Sequence, residues 1–322
     1  MILNRGYIKI LEDLGVATHV FLQLQVKAVQ SLRLMTSSTI NAATFLSEVS
    51  ASKSAQLHTL LEHLSDIGLE YHNDIFLRDV VEMAVTSKLR DMKYRGRIPV
   101  ENGVTLYGIM DETGVLQEGE VYVVIERTPK GGKQVLTGGR VIITRSPALH
   151  PGDIRTVKAV DVPADSPLGH LSNCVVFSQH GERDLPSQLS GGDLDGDLYN
   201  VIFEPTLMPT RPISQPADYP RVRPMALDRD VNAKDMSDFF VQFMETDQLG
   251  HISTIHMQLA DQMDQGVFHR DCVKLAEMAS TAVDFSKTGV PVSLPVAYQD
   301  FPESSTKHKH AGQYEWMSKT RP

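Results

Sequence analysis

The sequence predicts an α+β protein in which a compact β-barrel lies between an N-terminal and a C-terminal helical segment. Residues 1–95 and 235–290 space their apolar residues at helical intervals. Residues 96–205 instead carry short apolar and β-branched runs separated by glycine-containing turns, a pattern typical of strands. Six or seven such runs, with no long helical pattern among them, favour a barrel.

Composition restricts the class of protein. The chain has 322 residues, of which 41% are hydrophobic and 22% charged, as in soluble globular proteins. It has no run of about 18 apolar residues, so we expect no membrane partner, and charges interrupt the N-terminus too often for a secretory signal. Cys174 and Cys272 are too few for a disulfide framework. We therefore expect an intracellular protein, nuclear or cytoplasmic.

Residues 1–95 are predicted to form a helical connector. Helical spacing places apolar residues on one stripe in "AQLHTLLEHLSDIGL" and "DIFLRDVVEMAVTSKLRDMKYR", namely Leu57, Leu60, Leu61, Leu64, Leu77, Val80, Val81 and Val85. These stripes are expected to face a core. Asn73 or Asp74 is expected to cap the second helix, because short polar side chains accept hydrogen bonds from the first free backbone N–H groups.

Turn and strand patterns fill the predicted barrel, residues 96–205. Asn102-Gly103, Thr113-Gly114 and Glu118-Gly119 mark turns between apolar runs. Further runs follow in "QVLTGGRVIITRSPALHPGDIRTVKAVDVP" and "NCVVFSQ", and the last is "DLYNVIFE".

Three segments with different sequence patterns follow the predicted barrel. Residues 206–234 are predicted to be a proline-rich linker, since six prolines occur between positions 205 and 224. Residues 235–290 return to helical spacing, and Gly289 is expected to stop the last helix. Residues 291–322 have no periodicity and are expected to form an irregular, truncated tail.

Charge is unevenly distributed along the chain. The net charge is −9, yet residues 88–158 hold twelve Lys or Arg against eight Asp or Glu. A local basic field beside a carboxylate cluster suits a phosphate-bearing substrate. Ordinary solvated lysines and arginines explain the same count.

Three aspartates at alternate positions dominate the segment "QLSGGDLDGDLYNVIF", residues 188–203. Asp193, Asp195 and Asp197 follow two glycines and precede an apolar strand pattern. A solvated loop is one interpretation. It would place three unpaired carboxylates beside a core, at a large cost in desolvation and repulsion.

A calcium loop is the second interpretation of the aspartates. Counting Asp193 as position 1, Glu204 falls at position 12, as in an EF-hand. However, position 6, which needs glycine for the bend, is Leu198, and the flanking patterns are strands and prolines instead of helices.

Catalytic magnesium is the third interpretation. Nucleotidyl transfer is an in-line displacement at phosphorus, and two magnesium ions about 4 Å apart can activate a 3′-hydroxyl and hold pyrophosphate. Alternate strand residues share a face, and Gly196 permits a tight turn, so the carboxylates can converge. Gly191 and Gly192 would let a nucleic-acid backbone approach. The spacing alone leaves magnesium and calcium open.

The segment "SGGDLDGDLY" resembles the active-site signature of the cellular RNA-dependent RNA polymerases of RNA silencing. Four other segments are similar to the same family in the same order: residues 98–114 (IPVENGVTLYGIMDETG), 144–160 (TRSPALHPGDIRTVKAV), 249–261 (LGHISTIHMQLAD) and 272–289 (CVKLAEMASTAVDFSKTG). The resemblance covers about residues 70–290. That family shares a double-psi β-barrel with the large subunit of DNA-dependent RNA polymerases, so this fold is implied for residues 96–205.

By this resemblance Asp193, Asp195 and Asp197 are catalytic and hold magnesium. Gly191 and Gly192, in the same signature, are implied to lie against RNA or substrate.

Basic residues of the similar upstream segments are candidates for contacting RNA or nucleotide phosphates. Arg145, Arg155 and Lys158 are these candidates, because guanidinium and ammonium groups pair with phosphate oxygens. Salt bridges within the barrel are the alternative, with Arg155 to Asp153 as a local pair. The same choice between a substrate contact and a structural role applies to His150 and Lys287.

The resemblance implies an RNA-directed RNA polymerase, a nucleotidyltransferase that extends RNA from ribonucleoside triphosphates on an RNA template and makes double-stranded RNA for silencing. Polymerases of that family are longer and carry a second, upstream barrel that supplies lysines. The pattern of residues 1–95 does not predict such a barrel, so we expect the chain to be a catalytic-core fragment of a polymerase. The alternative is a catalytically incompetent RNA-binding fragment or pseudo-polymerase. The sequence leaves the oligomeric state open.

Overall fold

The computed structural model describes residues 1–49, 52, 54–126, 132–219, 223–224, 226–295 and 298. The chain divides into two compact units. The helical unit consists of residues 2–5 and 18–100, and the barrel unit consists of residue 1, residues 6–17 and the chain from residue 101 onward. Helix α1 (Arg5–Asp13) lies in the barrel unit from Gly6 on. The domain limits given above stay predictions.

The helical unit is built from amphipathic helices. Those described are α2 (Thr18–Met35), α3 (Thr39–Ser47), α4 (Leu57–Asp66) and α5 (Ile75–Arg95), with a 3-10 turn (Tyr71–Asn73) before α5. Their shared core includes Ala42, Phe45, Leu46, Leu61, Tyr71, Leu77 and Val81.

The start of α5 is capped as predicted by Asp74, whose carboxylate accepts a hydrogen bond from the Leu77 N–H at 2.9 Å. The apolar stripe is only partly buried. Leu61 and Val81 are buried, whereas Leu60 is 43% exposed. Adjacent helix positions point about 100° apart, so a core on one side buries one of two neighbouring leucines.

The barrel is a closed ring of six strands. Seven strands are described in this unit, six of them in the ring: β1 (Gly103–Met110), β2 (Glu120–Glu126), β3 (Lys133–Leu136), β4 (Gly139–Arg145), β5 (Ile154–Ala159), β6 (Cys174–Phe177) and β7 (Leu198–Ile202). The order β2-β5-β4-β7-β1-β6 closes because β6 pairs back with β2, while β3 pairs antiparallel with β2. The predicted barrel of six or seven strands is confirmed.

Strand β7 is held from both sides. It pairs antiparallel with β4, which sets Arg145 opposite Tyr199, and antiparallel with β1, which sets Leu106 opposite the same tyrosine. Its inward residues join the barrel core with Val121, Val123, Val141, Ile143, Val175 and Phe177. The residues just before β7 are therefore fixed by two neighbouring strands.

The rest of the barrel unit is mainly helical. Its helices after β6 are α6 (Leu185–Gln188), α7 (Ala233–Thr246), α8 (Leu249–Gln262), α9 (Arg270–Val283) and α10 (Phe285–Thr288). Gly289, at φ 70°, ends α10 as predicted. The proline-rich segment packs within this unit, since the N–H groups of Thr210 and Arg211 donate to the Leu14 carbonyl at 3.2 and 2.9 Å.

Parts of some predictions fall outside the described residues. These are Arg127 and Lys130 of the basic stretch and most of the tail predicted for residues 291–322. Across the described part of the chain, no helix is both long enough and apolar enough to cross a lipid bilayer.

Candidate metal centre

The three aspartates lie in the loop that leads into β7, with Asp197 as its last residue. Leu194 has φ 63° and Gly196 has φ 118°, so the chain enters the left-handed region at two positions between the aspartates. Asp193 and Asp195 are therefore not on a strand, and the prediction that strand alternation aligns the carboxylates is wrong. The two turns bring them together.

The carboxylates of Asp193, Asp195 and Asp197 converge. One oxygen of each lies within 4.8 Å of one oxygen of each of the others. The Asp193 and Asp195 side chains are 48% and 59% exposed, whereas the Asp197 side chain is 9% exposed. Two open carboxylates thus stand beside one buried carboxylate. Such a set of oxygen donors, reachable from solvent, fits a divalent cation.

Asp197 is fixed by a salt bridge and by a backbone hydrogen bond. Its Oδ1 forms a salt bridge with Arg145 Nη2 at 2.6 Å. Its Oδ2 accepts a hydrogen bond from the Asp193 N–H at 3.0 Å, which closes the loop on itself. Arg145 Nη1 also donates to the Ser190 carbonyl at 3.0 Å. One guanidinium therefore connects both ends of the aspartate loop.

Lys287, from α10, brings a positive charge to the open side of the loop. Its Nζ lies 2.6 Å from Asp193 Oδ2 and 3.2 Å from Asp195 Oδ2. The hydrogen bond from Lys287 lowers the pKa of the Asp193 carboxyl, and the same bond raises the pKa of the lysine ammonium. Sequence spacing alone could not reveal this contact, because tertiary folding brings the two segments together.

The two glycines before the aspartates have different roles. A Cβ on Gly192 would collide with the Tyr199 hydroxyl and crowd the Pro186 carbonyl and Arg145 Cδ. Gly191 has φ 71° and open space around its Cα. Gly192 therefore permits close packing inside the protein, whereas Gly191 permits the turn.

Tyr199 belongs to the site, although no sequence pattern singled it out. Its hydroxyl lies 3.4 Å from Asp197 Oδ2, and its ring meets the Phe177 ring edge-on at 4.8 Å between centroids. Burial, followed by the charge of Asp197, raises the pKa of the phenol, so the group stays protonated and donates. A tyrosine in a buried strand needs a partner for its hydroxyl, which is the signal that could have found it.

Glu204 does not join the aspartates. It follows β7, whereas Asp197 precedes that strand, so the seven-residue separation spans about 20 Å of extended chain. Its carboxylate accepts hydrogen bonds from Asn102 and from the Thr206 hydroxyl at 3.0 and 2.8 Å. An EF-hand calcium loop ending at Glu204 is therefore excluded.

The other predicted basic residues make their described contacts elsewhere. Lys158 pairs with Glu120 at 3.0 Å across the β2–β5 ladder and is 64% exposed. Arg155 donates to the Ser214 carbonyl at 2.9 Å, and its burial lowers its pKa. Among the described ion pairs, none joins Arg155 to Asp153.

The loop after β4 has its own polar interior. Asp153 is 1% exposed and accepts hydrogen bonds from the N–H groups of Leu149 and His150 at 3.0 and 2.9 Å. Burial raises the pKa of Asp153 to about 6. His150 Nδ1 accepts from the Gly152 N–H at 3.0 Å, and burial lowers its pKa, as suits a turn histidine.

A cavity of about 740 Å³ opens beside the aspartates. Gly191, Gly192, Asp193 and Lys287 line one side of it, and Tyr219 of the proline-rich segment lines another. Its volume lies within the range of small-molecule pockets. Asp193 of the candidate metal centre therefore borders a space large enough for a substrate.

The chain matches a known protein family and several known sequences over most of its length. The profile of the family described as RNA dependent RNA polymerase matches residues 1–321. The Probable RNA-dependent RNA polymerase 1 of Oryza sativa subsp. japonica is 35% identical over 310 residues, 95% of this chain and 41% of that protein. RNA-dependent RNA polymerase 1 of Arabidopsis thaliana is 34% identical over 310 residues, 95% of this chain and 27% of that protein.

A yeast relative matches in the same way, and a solved structure shares the fold. RNA-dependent RNA polymerase 1 of Schizosaccharomyces pombe is 31% identical over 331 residues, 93% of this chain and 26% of that protein. The chain thus spans less than half the length of the relatives it matches. RNA dependent RNA polymerase QDE-1 from Thielavia terrestris matches with a TM-score of 0.67 at 22% identity, covering 93% of this chain and 37% of that chain. The expected double-psi β-barrel flanked by helices is confirmed.

Proposed function

The chain belongs to the RNA-dependent RNA polymerase family, and on this premise we propose that it carries the catalytic centre of an RNA-directed RNA polymerase. In this proposal the protein extends RNA from ribonucleoside triphosphates on an RNA template, and the product is double-stranded RNA for gene silencing. The observation that carries the proposal is the convergence of Asp193, Asp195 and Asp197.

Magnesium is the metal we propose for this centre. It prefers oxygen ligands and keeps several waters, so three carboxylates at one point suffice to hold it. When bound, Mg²⁺ activates the attacking 3′-hydroxyl and neutralises charge on the leaving pyrophosphate. The protein's own part is orientation: Arg145 and Tyr199 fix Asp197, and Asp193 and Asp195 face the open side.

The charges that line the cavity favour the binding of a polyanion together with cations. Among the described residues of this wall, five carboxylates stand against two basic side chains, namely Asp184, Asp193, Asp218, Glu277 and Asp284 against Arg183 and Lys287. A triphosphate that entered the cavity without cations would be repelled by these carboxylates. Divalent cations bound between the carboxylates and the triphosphate would remove that repulsion. The acidic excess thus favours a metal-dependent phosphoryl chemistry over simple anion binding.

The predicted RNA contacts are retained with one refinement. Arg145 is already bound to Asp197 and to the Ser190 carbonyl, so we propose that it positions the aspartate loop and does not bind a phosphate group. RNA contacts by Arg155, Lys158, Gly191 and Gly192 stay predictions.

Two measurements on the 322-residue chain and its Asp195→Ala variant test the proposal. Binding of Mn²⁺ is measured from the decrease of the electron paramagnetic resonance signal of the free ion. This measurement reports on the metal centre without requiring activity. Incorporation of labelled ribonucleotides on an RNA template in Mg²⁺ reports on catalysis. Asp165→Ala, an exposed aspartate outside the cluster, is the matched control.

We expect Asp195→Ala to abolish both Mn²⁺ binding and ribonucleotide incorporation, and Asp165→Ala to retain both. Metal binding that survives in Asp195→Ala would reject the assignment of the aspartates. Metal and RNA binding without incorporation in the unsubstituted chain would favour the alternative, a catalytically incompetent RNA-binding protein.

A further inference from the structure

One side-chain cation already bridges two of the three aspartates. Lys287 Nζ lies 2.6 Å from Asp193 Oδ2 and 3.2 Å from Asp195 Oδ2, both within hydrogen-bonding distance. These are the two exposed carboxylates, the ones that a metal ion from solvent would meet. The ammonium group therefore stands in the position of a cation between them.

The lysine is held there by its backbone. Helix α10, which carries Lys287, begins directly after Asp284, and the Lys287 N–H donates to the Asp284 carbonyl at 3.0 Å. Phe285 in the same helix stacks on Phe239 and Phe243 of α7, with ring centroids 5.5 and 5.8 Å apart. The base of this lysine side chain is thus anchored by aromatic packing, unlike that of a lysine on a solvated helix face.

The ammonium and a divalent ion would compete for the same oxygens. A magnesium ion binds carboxylate oxygens at about 2.0–2.1 Å and requires near-octahedral space around it. An ammonium 2.6 Å from Asp193 Oδ2 occupies part of that space and repels a second cation. Simultaneous occupation of both oxygens by Lys287 and a metal ion is therefore unfavourable.

Given the proposed metal-dependent function, on which this inference rests, we propose that Lys287 is a built-in competitor for the divalent cation. In the metal-free protein it neutralises Asp193 and Asp195 and keeps the two carboxylates together. A divalent ion binds by displacing it, and the released ammonium then faces the cavity that Lys287 lines. Lys287 thus lowers the affinity of the centre for the metal ion. When no metal ion is bound, its charge prevents the repulsion between Asp193 and Asp195 from opening the aspartate loop.

Metal binding by substituted chains tests this role. Lys287→Met removes the competitor and is expected to tighten Mn²⁺ binding by about 3- to 10-fold, consistent with the modest strength of half-exposed ion pairs. Lys274→Met, an exposed lysine of α9, removes the same charge elsewhere and should leave the affinity within about twofold. Lys287→Arg, which keeps a cation, should not tighten binding.

Lysine acylation of the unsubstituted chain gives a second readout that does not depend on any variant folding. An amine-reactive acetylating reagent is applied with and without Mg²⁺, and peptide mass spectrometry quantifies each lysine. We expect Mg²⁺ to increase acetylation at Lys287 severalfold, because its ammonium leaves the aspartates, and to leave Lys274 unchanged.

The outcomes separate this proposal from the proposed function. Equal or weaker Mn²⁺ binding in Lys287→Met, or unchanged acetylation of Lys287, overturns the competitor role while a metal centre lost in Asp195→Ala still stands. An unsubstituted chain that binds no Mn²⁺ rejects the metal centre, and the competitor role with it.

Discussion

Arg145 Nη2 lies 2.6 Å from Asp197 Oδ1, and the pairing of two strands delivers it there. Arg145 ends β4, and its cross-strand partner Tyr199 lies two residues after Asp197 in β7. Both charged side chains are largely buried, at 16% and 9% exposure. The barrel thus supplies the cation that allows one carboxylate of the cluster to remain buried.

Replacing Arg145 should destabilise the barrel unit. Arg145→Met leaves the Asp197 charge buried and unpaired, so we expect the free energy of unfolding to fall by about 3–5 kcal/mol. Arg145→Lys keeps the charge but has one nitrogen in place of the two that contact Asp197 and Ser190, so its loss of stability should be smaller. Urea unfolding followed by circular dichroism measures both variants, and the exposed Arg140→Met is the control. Unchanged stability combined with weaker, less salt-dependent RNA binding would restore the phosphate-contact interpretation.

Alanine at the two loop glycines should have different effects. In Gly192→Ala the new Cβ collides with the Tyr199 hydroxyl and displaces Arg145, so we expect weaker Mn²⁺ binding together with about 1–3 kcal/mol of destabilisation. Gly191→Ala meets no neighbour and costs only the left-handed backbone, about 1–2 kcal/mol, with metal binding retained. Mn²⁺ titration of the folded variants distinguishes them. Equal loss of metal binding in both would show that Gly191 also shapes the carboxylates.

Asp153 should make stability depend on pH. Burial raises its pKa to about 6, above the unfolded value near 3.8, so the folded state binds the proton more tightly. Its contribution to stability is complete below about pH 4 and is lost as the pH rises through about 6, a total of about 3 kcal/mol.

Asp153→Asn removes that dependence, and its amide oxygen can still accept the Leu149 and His150 N–H groups. We expect the variant to gain stability relative to the unsubstituted chain between about pH 4 and pH 7.5. Urea unfolding across this range, with the exposed Asp165→Asn as control, measures the difference. Parallel pH curves for the variant and the unsubstituted chain would contradict the raised pKa.

Lys158 offers a test of the predicted RNA contacts. We expect Lys158→Ala to weaken RNA binding, whereas an affinity changed by less than about twofold would leave the ion pair with Glu120 as its role. Stability should change by less than about 1 kcal/mol in either case, because that ion pair is exposed. RNA titrations at several salt concentrations measure the affinity and its salt slope. A slope reduced by about one, with uniformly weaker binding, would show that Lys158 contacts a phosphate.

Much of the fold was predictable because its signals are local. Asp74 caps α5, Gly289 ends α10, and the strand runs between residues 103 and 202 form the barrel. The aspartate cluster was predictable because a single short segment carries all three carboxylates. The reason for their convergence was not, since it depends on the left-handed conformation of Leu194, a residue type that rarely adopts it.

The partners of the cluster were beyond any local pattern. Arg145 was left between a phosphate contact and a salt bridge within the barrel, and the structure shows it bound to Asp197. Lys287 was left between a substrate contact and a helix end, and the structure places it between two aspartates. The sequence identifies a basic side chain that can pair with oxygen atoms, but it does not show which oxygen atoms that side chain contacts in the fold.

The sequence by itself determined the class of fold, the family and the three carboxylates, because helical period, strand runs and a short motif are properties of neighbouring residues. Only the tertiary structure decided that Asp197 is buried against Arg145, that Glu204 lies at the far end of β7, and that Lys287 bridges Asp193 and Asp195. Barrel closure and helix packing bring these distant residues together, and the energies that select such contacts come from burial and charge pairing in three dimensions.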